Sequence, residues 1–503
     1  VLIFLWITKG LNSDHLVKMC VFMFRISAAR TEPPTAVVEG CPFAFTGLGD
    51  SDDLAFPRGR PGDAASQDEM IMTDSPAEGW FPRWKPTTAD RVAPDERLPW
   101  PQTIILGFQH VVAMFGSTVV APIIMGFDPN VAVLFSGIGT LIFFLVVGGR
   151  VPSYLGSSFA FIAVVMAASG YSGSGANTNI GVALGGIIAA GAVYSLIGLL
   201  VIKIGYGWIE KLMPPVVTGG IVAAIGLNLA PIAVKGISAT GFDRVVGLIT
   251  IVAVGAAAVY LPGMLRRIPV LIGGLVGYIV YWLGAGPFGD APIDFAKLDA
   301  APWFGMPSFT APVFSTSAMA LIAPVAIILV AENLGHIKAI GAMTGRSLDR
   351  YVGRAFLGDG IATMLSGSFG GTGVTTYAEN MGVMAVTRIY STLVFVVAAV
   401  IAILLGFSPK FGALIGTIPG PVIGGLSIVI FGLITATAGR IWVENKVDFS
   451  ETKNLITTAA AVIAGAGDLT LNLGGFTLGG IGTATFGAIL LYALLDRGPK
   501  IAD

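Results

Sequence analysis

From Gln102 to the C-terminus the chain is a succession of apolar stretches separated by short polar or Gly/Pro breaks. A chain crosses lipid only as helices or as a closed barrel, because unpaired backbone groups are costly there. Only 12% of the residues are charged and 54% are hydrophobic, against about 25% charged in average usage, which excludes an ordinary soluble enzyme. Fourteen segments can be placed. The first seven centre near Val112, Thr140, Ile162, Ala190, Ala223, Val252 and Gly274; the second seven centre near Val325, Thr363, Ala378, Val397, Ile428, Ala461 and Thr485. The expected fold is an all-α polytopic membrane protein, with the third and tenth segments short and broken.

Charge placement orients these segments. With the N-terminus cytoplasmic, fifteen Lys and Arg fall in inner loops, and only Lys235, Arg244, Lys297 and Lys410 fall outside. Dropping the third segment would invert every loop before the tenth, so both short segments are expected to cross. The sequence also repeats itself. At an offset of 223, Gln109 meets Glu332, Gly137-IGT meets Gly360-IAT and Ser157 meets Asn380; at 206, Pro215-VVTGG meets Pro421-VIGG. Two seven-span halves are necessarily inverted, the plan of many secondary transporters, whose sites lie where paired segments break. Arg150-VPSYLGSSFAFI and Gly370-GTGVTTYAEN read as such breaks, each a short extended piece followed by a half-helix. The two pieces should pair as antiparallel strands inside the protein, with the half-helices aiming N–H groups at a midplane solute. The expected division is a first repeat at 96–284, an extracellular connection at 285–316, a second repeat at 317–496 and a cytoplasmic tail at 497–503.

Two carboxylates stand inside this apolar sequence. Glu332 lies in Leu321-IAPVAIILVAENLGHIKAIG and Glu379 in Gly373-VTTYAENMGVMAVTR. A charged side chain at membrane depth costs roughly 2.5–3.5 kcal/mol on insertion scales, so it ordinarily faces a polar cavity on a substrate or proton path. The bland alternative is a carboxyl hydrogen-bonded to a neighbouring helix. His336 shares a helix face with Glu332 at i+4, which makes a coupled pair plausible, although a satisfied core histidine is the competing reading. Gln109 and His110 read equally as helix–helix hydrogen-bonding groups. Phe159 reads as core packing or as a ring that stacks on a flat solute. No Arg or Lys falls in the central spans, so a neutral solute with N–H donors, such as a planar cyclic imide or amide, suits the carboxylates better than an anion.

Other classes find little support. No Gly-x(4)-Gly-Lys-Ser/Thr loop occurs, and no metal-ligand cluster or nucleophile–base pair points to an enzyme or to a cofactor. The formal net charge is −1 with no basic stripe, so nucleic acid is not an expected partner. Both cysteines, Cys20 and Cys41, precede the apolar segments. Residues 1–95 read as a disordered N-terminal extension, rich in Pro, Gly, Asp and Ser from Thr31 to Ser75. Within it, 1–69 read as an upstream extension of the reading frame, with the natural start at Met70 or Met72. A signal peptide is the competing reading of Val1–Ile26.

Glu379-NMGVMAVTR matches the signature of the nucleobase–ascorbate (nucleobase:cation symporter-2) transporter family, Gln/Glu/Pro-Asn-x-Gly-x(4)-Thr-Arg/Lys/Gly, at Asn380, Gly382, Thr387 and Arg388. Gln109-HVVAMFGSTVVAP, Pro152-SYLGSSFAFI and Ala331-ENLGHIKAIGAMTGR resemble its uracil-permease branch, and the resemblance runs from about Trp80 to Leu495. It implies fourteen spans in two inverted repeats, core and gate domains, often a homodimer, and proton-coupled uptake of a nucleobase across the bacterial cytoplasmic (inner) membrane, with both termini cytoplasmic. It implies that Glu332 and Glu379 bind the base edge and that His336 joins Glu332 in proton coupling. Phe159 and Ala378 would give backbone and ring contacts beside Tyr377, with Gln109, His110, Asn380 and Ser158 in support. Glu at 379 favours uracil-like bases, with thymine left open. A purine, xanthine or urate permease is the alternative, and a passive channel or a sulfate or bicarbonate transporter is further off. Ala378 departs from the Gly common in the uracil branch.

Overall fold

The computed structural model describes residues 79–497 apart from 174–176, 263–264, 289 and 474–475. The reading of residues 1–78 as an extension lies outside the described residues. The main helices, in chain order, are α1 (Trp100–Met125), α2 (Pro129–Val146), α3 (Ile162–Ser169), α4 (Ile180–Ile204), α5 (Pro215–Asn228), α6 (Gly241–Tyr260) and α7 (Pro269–Gly284). They continue with α8 (Val325–Thr344), α9 (Val352–Ser368), α10 (Ala378–Thr387), α11 (Thr392–Gly406), α12 (Gly420–Glu444), α13 (Thr452–Ala466) and α14 (Gly480–Leu495). Each of the fourteen expected centres falls in one of these helices or, for Ile162, Val325 and Ala378, at its first residue.

Among the described residues, seven helices are long and apolar enough to cross a membrane. An eighth candidate is α11 together with Pro409–Gly416, bent by 79°. The bend follows from Ser408-Pro409, since the residue before a proline is pushed out of helical geometry. Helix ends carry their sequence signals. Thr240 and Asp243 form a reciprocal capping box on α6, and Gly126 closes α1 in the left-handed region at φ 74°.

At the centre lie two three-residue strands, β1 (Leu155–Ser157) and β2 (Val374–Thr376), fully buried and antiparallel. Their register places Leu155 opposite Thr376, Gly156 opposite Thr375 and Ser157 opposite Val374. The expected strand pair therefore forms, but the offset of 223 does not hold through it. The equivalent strands start at Leu155 and Val374, so the repeat slips by a few residues here, because the connection from α9 to β2 is shorter than its counterpart from α2 to β1.

The helices sort into two packing groups. In one, α9 packs on α4 and α2, and α11 packs on α2 and α1. Small residues allow backbone contact there: a Cβ at Gly191 would stand 2.8 Å from the Gly360 carbonyl oxygen, and one at Gly353 would stand 2.9 Å from that of Gly198. In the other, α12 packs on α5 and α6, and α13 packs on α5 and α14. The aromatic rings of Phe159 and Phe431 meet edge to face at 5.9 Å between β1's following turn and α12.

Residues 79–95 correct the expectation of a disordered extension up to 95. They form a strap against the helix ends. Trp80 Nε1 donates to the Leu145 carbonyl at 2.8 Å, and Phe81 and Trp84 stack on Phe144. Trp84 Nε1 donates to Thr392 Oγ1 at 2.9 Å, and Val92, fully buried, makes a parallel bridge with Ile389. The Pro and Asp that read as disorder here terminate short extended pieces, Lys85–Pro86 beside Glu96–Arg97, while the aromatics and Val92 anchor them.

Candidate functional site

The site is built outward from the strand pair. After β1, Ser158 accepts from Ala160 N–H at 3.3 Å and caps the tight turn Phe159–Phe161 that leads into α3. After β2, Tyr377 leads directly into α10. Two further backbone bonds extend the pairing, Ser158 N–H to Gly373 O at 2.9 Å and Tyr377 N–H to Tyr154 O at 3.0 Å. Both half-helices thus begin at the same buried ladder. Their first N–H groups lie beyond the intrahelical ladder and carry the positive ends of the helix dipoles.

Glu379 lies in the first turn of α10, where a carboxylate is favoured by those groups. It accepts a short hydrogen bond from Ser117 Oγ of α1. Glu379 and Ala378 are both exposed, while Asn380 beside them is fully buried. Asn380 Nδ2 lies 3.0 Å from His110 Nδ1 and donates to the His110 carbonyl at 3.1 Å. His110 in turn packs on Phe395, at 4.6 Å between ring centres. The two residues therefore join α10 to α1. Gln109 is buried, and neither its amide oxygen nor its nitrogen has a hydrogen-bond partner.

Glu332 and His336 project from α8 and are half-buried. They share a face, but the ring is held by the strand pair: His336 Nδ1 stands 2.8 Å from Thr376 Oγ1. The same Thr376 hydroxyl lies 3.5 Å from Asn333 Oδ1. α8 packs against α9, which carries Asp359, and against α10, which carries Glu379. α8 and α10 thus bring the two carboxylates chosen from the sequence around one strand end.

Tyr377 occupies a scaffold position. Its hydroxyl donates to the Ser157 carbonyl at 2.8 Å and accepts from Thr118 Oγ1 at 3.1 Å, which leaves the buried ring committed to the strand pair. Phe159 remains half-buried at the head of its turn, with Phe431 on one side.

Sequence reasoning missed a third carboxylate. Asp359 of α9 is fully buried and accepts from Asn333 Nδ2 at 2.7 Å. The same Asn333 amide donates to Tyr194 OH at 2.9 Å, and Tyr194 donates to the Leu329 carbonyl. The rule that singled out Glu332 applied equally to Asp359, which stands just before the repeated Gly360-IAT. Ser117 and Asn333 carried no sequence signal beyond being polar in an apolar span.

Comparison with known proteins follows this geometry. The xanthine/uracil permease model, described as "Permease family", matches residues 101–474. A relative from Escherichia coli (strain K12) that carries the name pyrimidine permease RutG is 62% identical over 428 residues, covering 84% of this chain and 96% of its own. The uracil permease of Bacillus caldolyticus is 41% identical over 418 residues, covering 80% and 94%. Among solved structures, the transmembrane domain of the cyanobacterial bicarbonate transporter BicA aligns with a TM-score of 0.57 at 16% identity, covering 78% of this chain and 96% of that one. The murine Slc26a9 anion transporter aligns with a TM-score of 0.58 at 12% identity, covering 92% and 76%. At such identities the likeness concerns the fold alone, whereas the family match and the permease relatives span most of the sequence. The chain belongs to the xanthine/uracil permease family.

Proposed function

We propose that the protein is a proton-coupled symporter importing pyrimidine nucleobases, uracil foremost, across the bacterial cytoplasmic membrane. The observation that carries this reading is that the helices bearing Glu332 and Glu379 meet at the Thr376 end of the buried strand pair: His336 of α8 bonds Thr376, and α10 begins two residues after it. The permease names of its relatives supply the substrate class. The fourteen helices are read as fourteen spans in two inverted repeats, with both termini cytoplasmic and the two packing groups serving as core and gate. A homodimer is the expected assembly, and the proton is the coupling ion with no other cofactor.

The chemistry follows from donors and acceptors. Glu379, oriented by Ser117, accepts an N–H of the base ring. N–H groups at the starts of the half-helices donate to a ring carbonyl. Glu332, on the helix that packs against α10, takes up the coupling proton. Glu332 then donates to the second carbonyl, which ties proton loading to base binding. His336, bonded to Thr376 and on the same helix face, joins Glu332 in proton coupling.

Binding and uptake measured side by side across pH test this. Glu332→Gln should bind uracil yet lose pH-driven accumulation, Glu379→Ala should lose binding, and His336→Ala should shift the pH profile. Normal proton-driven uptake by Glu332→Gln would overturn the assignment. Stronger competition by xanthine or urate than by uracil would move the substrate to the purine alternative. Uptake indifferent to a protonophore would indicate a passive channel.

A further inference from the structure

We propose that residues 91–95 are a positioning clasp that joins the C-terminal ends of the two carboxylate-bearing helices and so sets the spacing of Glu332 and Glu379. The proposal rests on the pyrimidine-transport reading for its affinity measurement, but not for its distance measurement.

The last carbonyls of any helix lack intrahelical donors. At the end of α8, Arg91 Nη2 donates to the Met343 carbonyl at 3.1 Å, and Arg346 pairs with Asp95 at 2.7 Å. A cation at this end also opposes the negative end of the helix dipole. At the end of α10, Arg388 adopts a left-handed conformation at φ 57°, and its carbonyl accepts from Val92 N–H at 3.0 Å. Tyr390 N–H returns to the Val92 carbonyl at 2.9 Å, and Thr392 N–H and Oγ1 both donate to the Pro94 carbonyl. Five consecutive residues therefore complete the ends of both helices. They lie ahead of the residues that the family model matches.

The heights agree with a shared ruler. Glu332 is eleven residues from Met343, about 17 Å of helix, and Glu379 is nine from Arg388, about 14 Å. At ten residues, α10 is shorter than a helix that holds itself in water, so the fixing of its far end comes from tertiary contacts. The clasp is anchored to α10 through backbone and buried Val92, and to α8 through two side chains. The α8 side can thus be released while the strap stays seated.

The test uses the full chain with Cys20→Ser and Cys41→Ser, and spin labels at Ala339→Cys on α8 and Ala385→Cys on α10, both exposed positions. With the strap intact, the interlabel distance distribution should be narrow. Arg91→Gln with Asp95→Ala should broaden or shift it, and should raise the KM for uracil on the order of fivefold with Vmax held within about twofold. Asp95→Arg and Arg346→Asp should each do the same, and their combination should restore both readouts. An unchanged distribution in Arg91→Gln/Asp95→Ala overturns the clasp. A broadened distribution with unchanged KM overturns its positioning role. A broadened distribution in a protein whose unmutated form takes up no pyrimidine leaves the clasp standing and removes the substrate reading instead.

Discussion

Gly156→Ala tests the central strand pair through one methyl group. A Cβ at this position would stand 2.5 Å from Cε2 and Cζ of Tyr377 and 2.6 Å from Thr118 Oγ1. Carbon atoms settle at about 3.5–4.0 Å, so the ring has to retreat by roughly 1 Å. It is pinned at its far end, because its hydroxyl bridges Thr118 and the Ser157 carbonyl. Overpacking of this kind costs ~1–3 kcal/mol, and loss of one hydroxyl bond adds about 1 kcal/mol, giving ~2–4 kcal/mol in all. Tyr377 directly precedes Ala378 and Glu379, so part of the displacement reaches the base-binding turn. If about 1.4 kcal/mol of it is felt there, uracil affinity falls on the order of tenfold. The assay is thermal stability and uracil Kd of the purified protein, with Gly382→Ala as the comparison. Gly382 lies in α10 and has nothing within 4 Å of a built Cβ, so that substitution should change stability by less than about 0.5 kcal/mol. A Gly156→Ala protein as stable and as tight-binding as Gly382→Ala would refute the packing argument.

Asn333→Leu should destabilise the protein by about 1–3 kcal/mol, because it leaves the buried Asp359 carboxyl without its amide donor. Adding Asp359→Leu should recover part of that loss, which a thermal double-mutant cycle reads; strictly additive effects would contradict the pairing. Cysteines at Ser157 and Val374, directly opposite in the strand register, should cross-link readily, whereas Ser157 with Asn380 should not. Efficient cross-linking of the second pair would mean that the register is wrong. A chain beginning at Met72 keeps the strap and should transport normally, whereas deletion of residues 79–98 should abolish folded protein, as fluorescence-detected size-exclusion profiles would report.

Much of the site was legible because membrane sequence is so constrained. Glu332 and Glu379 stand out from apolar neighbours, and the Gly- and Thr-rich interruptions announce the two strands. What escaped has identifiable reasons. The register of β1 against β2 is a matter of which backbone groups pair, which residue types alone do not specify. Asp359 was hidden by its setting among Gly residues, Leu357-GDG, which reads as a helix-packing face. The strap was obscured by Pro, Asp and Arg, residues common in disorder, although Trp80, Phe81, Trp84 and Val92 supply the anchors. Tyr377 shows the limit of carrying roles across by motif: the local hydrogen bonds assign its hydroxyl to the scaffold.

The glycine contacts between α4 and α9 restrict how the molecule can deform. Gly191 meets the Gly360 carbonyl and Gly198 meets Gly353 with no side chain between them, two contacts seven residues apart on each helix. Sliding one helix along the other would bring a side chain to where two glycines now meet, so shear along this seam is sterically opposed. Displacement is left to joints between bulkier groups, such as the edge-to-face contact of Phe159 with Phe431, where rings can roll without breaking backbone contact. Amide hydrogen exchange should register that difference as slow exchange along the α4–α9 seam and faster exchange beside the aromatic joint.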